Sequence, residues 1–192
     1  MKVFALNIAN ALVVVIMLAF LLEWAFNYCY YNPKYPRSKI SSIKNPEIEE
    51  TIDYAFIGSS RCINYINELQ INESTWLNGH NFGYRACNPF EIKLTALELL
   101  KSRNVRRILV QVDKSFDEEL PDSMAMVEWI PYLKEPEISG QFASYFDVIG
   151  IMKNLPFYRY MKYESQIGFR NVLLSMFGKE RTFMRYKVCS SA

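Results

Sequence analysis

Asp53-Tyr54-Ala55-Phe56-Ile57-Gly58-Ser59-Ser60-Arg61 is the stretch on which the fold turns. A strand of about five residues crosses a sheet, and Tyr54 to Ile57 reads as one buried on both faces, as parallel strands are. Gly58 then permits a tight exit, which stands the serine hydroxyls at the carboxyl edge of the sheet. Open α/β sheets place their ligands and chemistry at that edge.

Downstream, Ile63, Ile66 and Leu69 are spaced for a helical turn or two, and Asn72 to Asn78 reads as loop. His80 to Gly83 is a short second strand with its exit. Asn88-Pro89-Phe90-Glu91 opens a helix. Asn88 caps it, Pro89 takes the first helical position, and Glu91 reaches back to close a capping box. The expected apolar stripe of this helix is Ile92, Ala96, Leu97, Leu99 and Leu100. Arg106 to Asp113 is a third strand, with Asp113 at its carboxyl edge. Strands alternating with helices imply right-handed crossovers and a parallel sheet.

Upstream, Val3 to Phe26 is almost wholly apolar, with only Asn7, Asn10 and Glu23 interrupting it. A spanning helix needs about 20 such residues. A cleaved signal has a shorter apolar core and a small-residue cleavage site, so a retained anchor through residues 3–26 is expected, contacting lipid. Trp24, Tyr28, Tyr30 and Tyr31 suit an aromatic belt at one interface. Tyr31 to Pro46 holds three prolines and scattered charge and reads as a stalk. Residues 1–30 are thus the anchor, 31–50 the linker, 51–120 a three-stranded α/β core, and 121–192 a mainly helical extension.

The chain has 192 residues, 51% hydrophobic and 22% charged, with net charge +2. It is a folding chain, and its charge gives no reason to expect nucleic acid. The charge is unevenly spread. Asp113 to Gly150 has nine acids and two basic residues, whereas Ile151 onward has eight basic residues and two acids. The two stretches read either as solvated faces of one domain, or with the basic, aromatic segment Phe157–Tyr163 lying near an anionic membrane or glycan. Four cysteines without a CxxC pair, beside the single His80, exclude a zinc site. Cys62 and Cys87 flank the serine turn, either as a disulfide or as two buried thiols. No metal and no cofactor is expected.

In this order the blocks resemble the SGNH/GDSL hydrolase superfamily, specifically its membrane-anchored bacterial members that handle acyl groups in the cell envelope. The resemblance rests on the anchor, DYAFIGSSR, HNFGYRACNPFE and RRILVQVD, and covers roughly residues 1 to 120. It implies a partial flavodoxin-like (SGNH) parallel sheet with helices on both faces. It further implies Ser60 as nucleophile and the Gly83 N–H as an oxyanion donor. Ser59, Arg61, Asn81 and Asn88 are candidate binding residues and Asp113 a site-edge residue. The family's third block ends in Gly-x-Asn, where this chain has Gln111-Val112-Asp113. Its closing Asp-x-x-His is not found, and His80 reads as a structural histidine. The chain is therefore expected to be the first part of the fold, cut before its general base. The expected function is an acyl-esterase or O-acyltransferase-related protein of doubtful activity alone. The alternative is a non-catalytic glycan- or acyl-binding or assembly subunit.

Two further readings stay open. Gly58-Ser59-Ser60 can be an anion nest ahead of a helix, although no P-loop lysine follows. A third strand rich in Ile, Leu and Val leaves an edge that natural proteins cover, so the acidic segment, the tail helices or a partner chain is expected there. Lys34, Arg37, Lys39 and Lys44 follow the anchor and only Lys2 precedes it, which points the domain toward the cytoplasm. The family resemblance points it outward from the bacterial inner membrane, and the extracytoplasmic side is the expectation.

Overall fold

The computed structural model describes residues 2–31, 38–44, 51–112, 120–163 and 169–177. It is a mixed α/β protein with a long apolar amino-terminal helix and small parallel sheets. Helix α1, Lys2–Tyr31, is long and apolar enough to span a membrane, and the apolar part is exposed along its length. At about 1.5 Å per residue it measures about 45 Å. About 30 Å of that suffices for the hydrocarbon layer, which leaves its last turns for other work. Those turns bury one face, Glu23, Phe26, Cys29 and Tyr30, against the rest of the protein.

The serine-bearing strand lies at the centre. Strands β1 (Thr51–Ile52) and β2 (Tyr54–Ile57) run parallel to β4 (Asn104–Val105) and β5 (Ile108–Val110) in one continuous register. Two bonds bridge the break between the two short ladders, Arg106 N–H to the Ile52 carbonyl and Ala55 N–H to the Arg107 carbonyl, each 2.9 Å. On the other side β2 pairs in parallel with β3, Gly79–Asn81. The resulting order is β3-β2-β5, with no described strand on the outer side of β5.

Helix α2 (Lys39–Ile43) corrects the reading of residues 31–50 as a stalk. Ser38 and Ser41 close a capping box on each other, and Ile40 and Ile43 are fully buried. Prolines and lysines made the segment look like linker, yet its isoleucines are core. Residues 32–37 and 45–50 lie outside the described residues.

Helices α3 (Ser60–Tyr65) and α4 (Glu68–Thr75) follow β2, so α4 occupies most of what read as a loop from Asn72 to Asn78. The Asn67 side chain starts α4, and Asn72 holds it to the sheet: its Oδ1 accepts the Gly79 N–H and its Nδ2 donates to the Gly79 carbonyl, both at 2.9 Å. Tyr54 Oη donates to the same Asn72 oxygen.

Helix α5 (Pro89–Ser102) has the Asn88 cap, Pro89 start and Glu91 capping box that the sequence implies. Its buried face differs from the expected stripe. Leu97 and Leu100 are 49% and 59% exposed, while Glu91, Thr95 and Glu98 are buried. These polar groups are tolerated because each is paired. Glu91 accepts the Asn88 and Asp122 N–H groups, Thr95 meets Tyr84 Oη at 3.2 Å, and Glu98 meets Lys44 Nζ at 2.7 Å.

The described residues after 120 are mainly helical and contribute to the core. Two 3-10 turns, Ala125–Glu128 and Ile130–Tyr132, bury Trp129, Ile130 and Tyr132 completely. They are followed by α6 (Pro136–Ala143), α7 (Ile149–Asn154), α8 (Tyr158–Lys162) and α9 (Phe169–Met176). All share one core cluster with Ile52, Ala55 and Ile57 of the sheet.

Helix α1 is joined to this unit through charge. Glu23 Oε1 lies 2.8 Å from both Arg159 Nη2 and Lys134 Nζ, and Glu23 Oε2 accepts the Phe157 N–H at 2.9 Å. Asn27 Oδ1 accepts from Arg159 at 2.6 Å and from Tyr160 Oη at 2.7 Å. Arg159 is fully buried, and its Nε and Nη1 have no partner among the described residues.

Candidate functional site

The candidate site is built where β2 ends. Gly58 exits the strand, Ser59 caps α3, and Ser60 is the first residue of that helix. The capping is weak, with Arg61 N–H 3.4 Å from Ser59 Oγ. The stronger hold comes from Gln111, just past β5. Its Oε1 accepts both the Ser59 N–H at 3.0 Å and the Ser59 hydroxyl at 2.9 Å. This fixes the turn from the neighbouring strand.

Close approach explains the glycine at 58. A Cβ there would lie 2.7 Å from both Gln111 Cβ and Gln111 Oε1 and 3.0 Å from Cys62 Cβ. Gly58→Ala is therefore expected to lose about 1–3 kcal/mol through overpacking. Gly140→Ala in α6, where a Cβ meets nothing within 4 Å, is expected to gain about 0.5–1 kcal/mol from helix propensity. Denaturant unfolding of both variants in detergent checks the opposite signs.

The second wall is the exit of β3. Asn81 is buried and its side chain is a hub: Nδ2 donates to the carbonyls of Cys62 at 2.8 Å and Ile66 at 3.1 Å. Its Oδ1 accepts the Gly83 N–H at 3.0 Å and lies 3.3 Å from Cys62 Sγ. Lys39 Nζ donates to the Asn81 carbonyl at 2.8 Å. Burial pushes the Cys62 thiol up to about 11, against a smaller pull from the Lys39 cation. Cys62 and Cys87 are both buried free thiols, with no disulfide between them.

Comparison of the chain with family models, curated proteins and solved structures gives no match.

Asn81 and Gly83 lie against Cys62 of α3, the helix that Ser59 caps and Ser60 begins, and Arg61 in its first turn is exposed. No described residue is hydrogen-bonded to the Ser60 hydroxyl. The Gly83 N–H is engaged by Asn81, so it serves an oxyanion only if Asn81 releases it. Asn88 stands apart as the cap of α5: its Oδ1 accepts the Phe90 N–H at 3.1 Å and its Nδ2 donates to the Leu120 carbonyl. Asp113 lies outside the described residues. His80 sits on β3 opposite Ala55, its ring 5.8 Å from that of Phe82.

Three residues of this constellation were not among the candidate site residues of the sequence: Gln111, named there only where the family has Gly-x-Asn, Lys39, counted only as charge after the anchor, and Cys62, read only as a flanking cysteine. Gln111 was visible as the polar residue ending an apolar run. Lys39 carried no signal, because it is distant in sequence and embedded in apparent linker.

Proposed function

We propose that this chain is a membrane-anchored, SGNH/GDSL-like serine acyl-esterase or O-acyltransferase-related protein of the bacterial cell envelope. One observation carries the reading. Ser60 opens a helix directly at the carboxyl end of the central parallel strand, with a second glycine-bearing exit packed beside it. The strand order β3-β2-β5 is also that of the first three strands of a flavodoxin-like sheet. In this reading Ser60 Oγ attacks an ester carbonyl while the Ser60 N–H steadies the oxyanion. The Gly83 N–H joins it once Asn81 turns away. The ester C–O bond then breaks, and the Ser60 proton, carried by a base supplied from elsewhere, leaves with the departing alcohol. Gln111 holds the turn rigid, as a reacting hydroxyl requires.

Among the described residues no imidazole or carboxylate is bonded to Ser60, so the described groups alone give only residual turnover. Loss of a triad member typically leaves about 10³–10⁴-fold catalysis over water. The full chain in detergent is expected to react slowly with a fluorophosphonate probe, and Ser60→Ala to abolish that labelling while Ser59→Ala keeps it. Labelling that survives Ser60→Ala removes Ser60 as the nucleophile.

A second reading is favoured by the engaged Gly83 N–H: a non-catalytic subunit that holds a glycan or acyl chain at the same edge. Ligand-dependent protection without any labelling would support it. The same proposal puts the soluble part on the extracytoplasmic side of the inner membrane, and alkaline phosphatase fused at the carboxyl end is the direct measurement. A partner chain along the outer side of β5 belongs to the same proposal.

A further inference from the structure

We infer that α8, with the end of α7 and the start of α9, forms a second membrane-contacting surface that lies in the lipid headgroup layer and engages anionic phosphates. This rests on reading α1 as a span. Val3 to Leu22 supplies the about 20 residues that cross the hydrocarbon. The headgroup layer adds some 5–7 Å on each side, which at about 1.5 Å per residue covers the next four residues or so of the helix.

The structure pins the carboxyl-terminal helices to that stretch of α1. Phe157 N–H and Arg159 bond Glu23 at 2.9 and 2.8 Å, and Tyr160 bonds Asn27 at 2.7 Å. Phe169 packs edge-on against Phe26 with ring centroids 5.3 Å apart. In this placement the exposed groups that neighbour these contacts in the chain fall near headgroup level. What is exposed suits it: Leu155 and Met161 are 52% and 59% accessible, and Lys162, next to Met161 in the chain, and Arg170 are exposed too. Apolar tips with flanking cations are the chemistry of an interfacial contact. The contact is continuous with the span, and the basic bias of the chain after Ile151 complements an anionic surface.

The test uses the full chain carrying Cys189→Ser, with an environment-sensitive fluorophore on one introduced cysteine: Val14→Cys, Leu155→Cys, Met161→Cys or Trp76→Cys. Each is placed in phosphatidylcholine vesicles with or without phosphatidylglycerol, plus lipid quenchers at shallow or deep positions. The labels at 155 and 161 are expected to be quenched roughly twofold by the shallow quencher, more with phosphatidylglycerol present. The label at 14 is expected to follow the deep quencher and the label at 76 neither. Lys162→Glu with Arg170→Glu is expected to remove the phosphatidylglycerol-dependent part. If 14 is quenched but 155 and 161 behave like 76, the surface faces water, a glycan or another protein, and the inference is overturned. If 14 is not quenched, the spanning reading fails and the inference falls with it.

Discussion

Glu23→Ala is expected to cost about 3–5 kcal/mol, the range for removing one partner of a buried ion pair. The carboxylate is the shared acceptor for Arg159, Lys134 and the Phe157 N–H. Without it a fully buried guanidinium keeps, among the described residues, only Asn27, a long 3.4 Å bond to Tyr160 Oη and a position 4.8 Å over the Tyr160 ring. Asn27 and the ring supply dipole and quadrupole but no opposite charge, so desolvation of the cation goes largely uncompensated. The measurement is the unfolding midpoint of the detergent-solubilised chain. The double variant Glu23→Leu with Arg159→Met is expected to recover most of the loss, since exchanging a buried pair for packed apolar groups is often neutral. A single-variant loss below about 1 kcal/mol, the scale of an exposed pair, would show that water reaches the junction.

The second large effect is on pH dependence, at Glu91. Burial pushes its carboxyl up to about 7, against the opposing N–H groups of Asn88, Glu91 and Asp122. Its folded value therefore exceeds its unfolded value of 4.5. A raised carboxyl favours the folded state fully below the unfolded value, and this contribution is lost as pH rises through the folded one. At 1.36 kcal/mol per unit the loss between about pH 4.5 and 7 approaches about 3 kcal/mol. Unfolding free energies at pH 5 and pH 8, compared between the native chain and Glu91→Gln, isolate it. Glu91→Gln is expected to be less stable at low pH, because one of two N–H acceptors is lost, but flatter with pH. Parallel pH profiles for the two proteins would place the carboxyl near its ordinary value.

What the sequence revealed and what it concealed divides along physical lines. Tyr54–Ile57, the Asn88-Pro89-Glu91 start and the apolar run of α1 were legible because each is a local pattern with a local cause. A short apolar run, a capping pattern and an unbroken apolar length are each set by neighbouring residues. The burial of Ile40 and Ile43, of Trp129 and Tyr132, and of Glu91, Thr95 and Glu98 was not legible. Most of those side chains have partners far away in the chain, such as Lys44 for Glu98, Tyr84 for Trp129 and Tyr30 for Tyr132. Segments rich in acid or proline then looked external while their apolar residues formed the core. The candidate site divides in the same way. Ser59, Ser60 and Gly83 follow from strand exits, whereas the grip of Gln111 on Ser59 and of Lys39 on Asn81 depends on tertiary approach.

The Asn72 side chain has a consequence for assembly. By giving its carbonyl to the Gly79 N–H and its amide to the Gly79 carbonyl, it imitates one residue of a neighbouring strand. Lys39 occupies the Asn81 carbonyl two residues further along the same strand. Backbone groups that a foreign strand would need are thus already satisfied on the β3 side. Among the described residues the outer side of β3 is thus closed to a foreign strand at Gly79 and at the Asn81 carbonyl, by side chains that arrive from a helix on either side of the sheet strands in sequence.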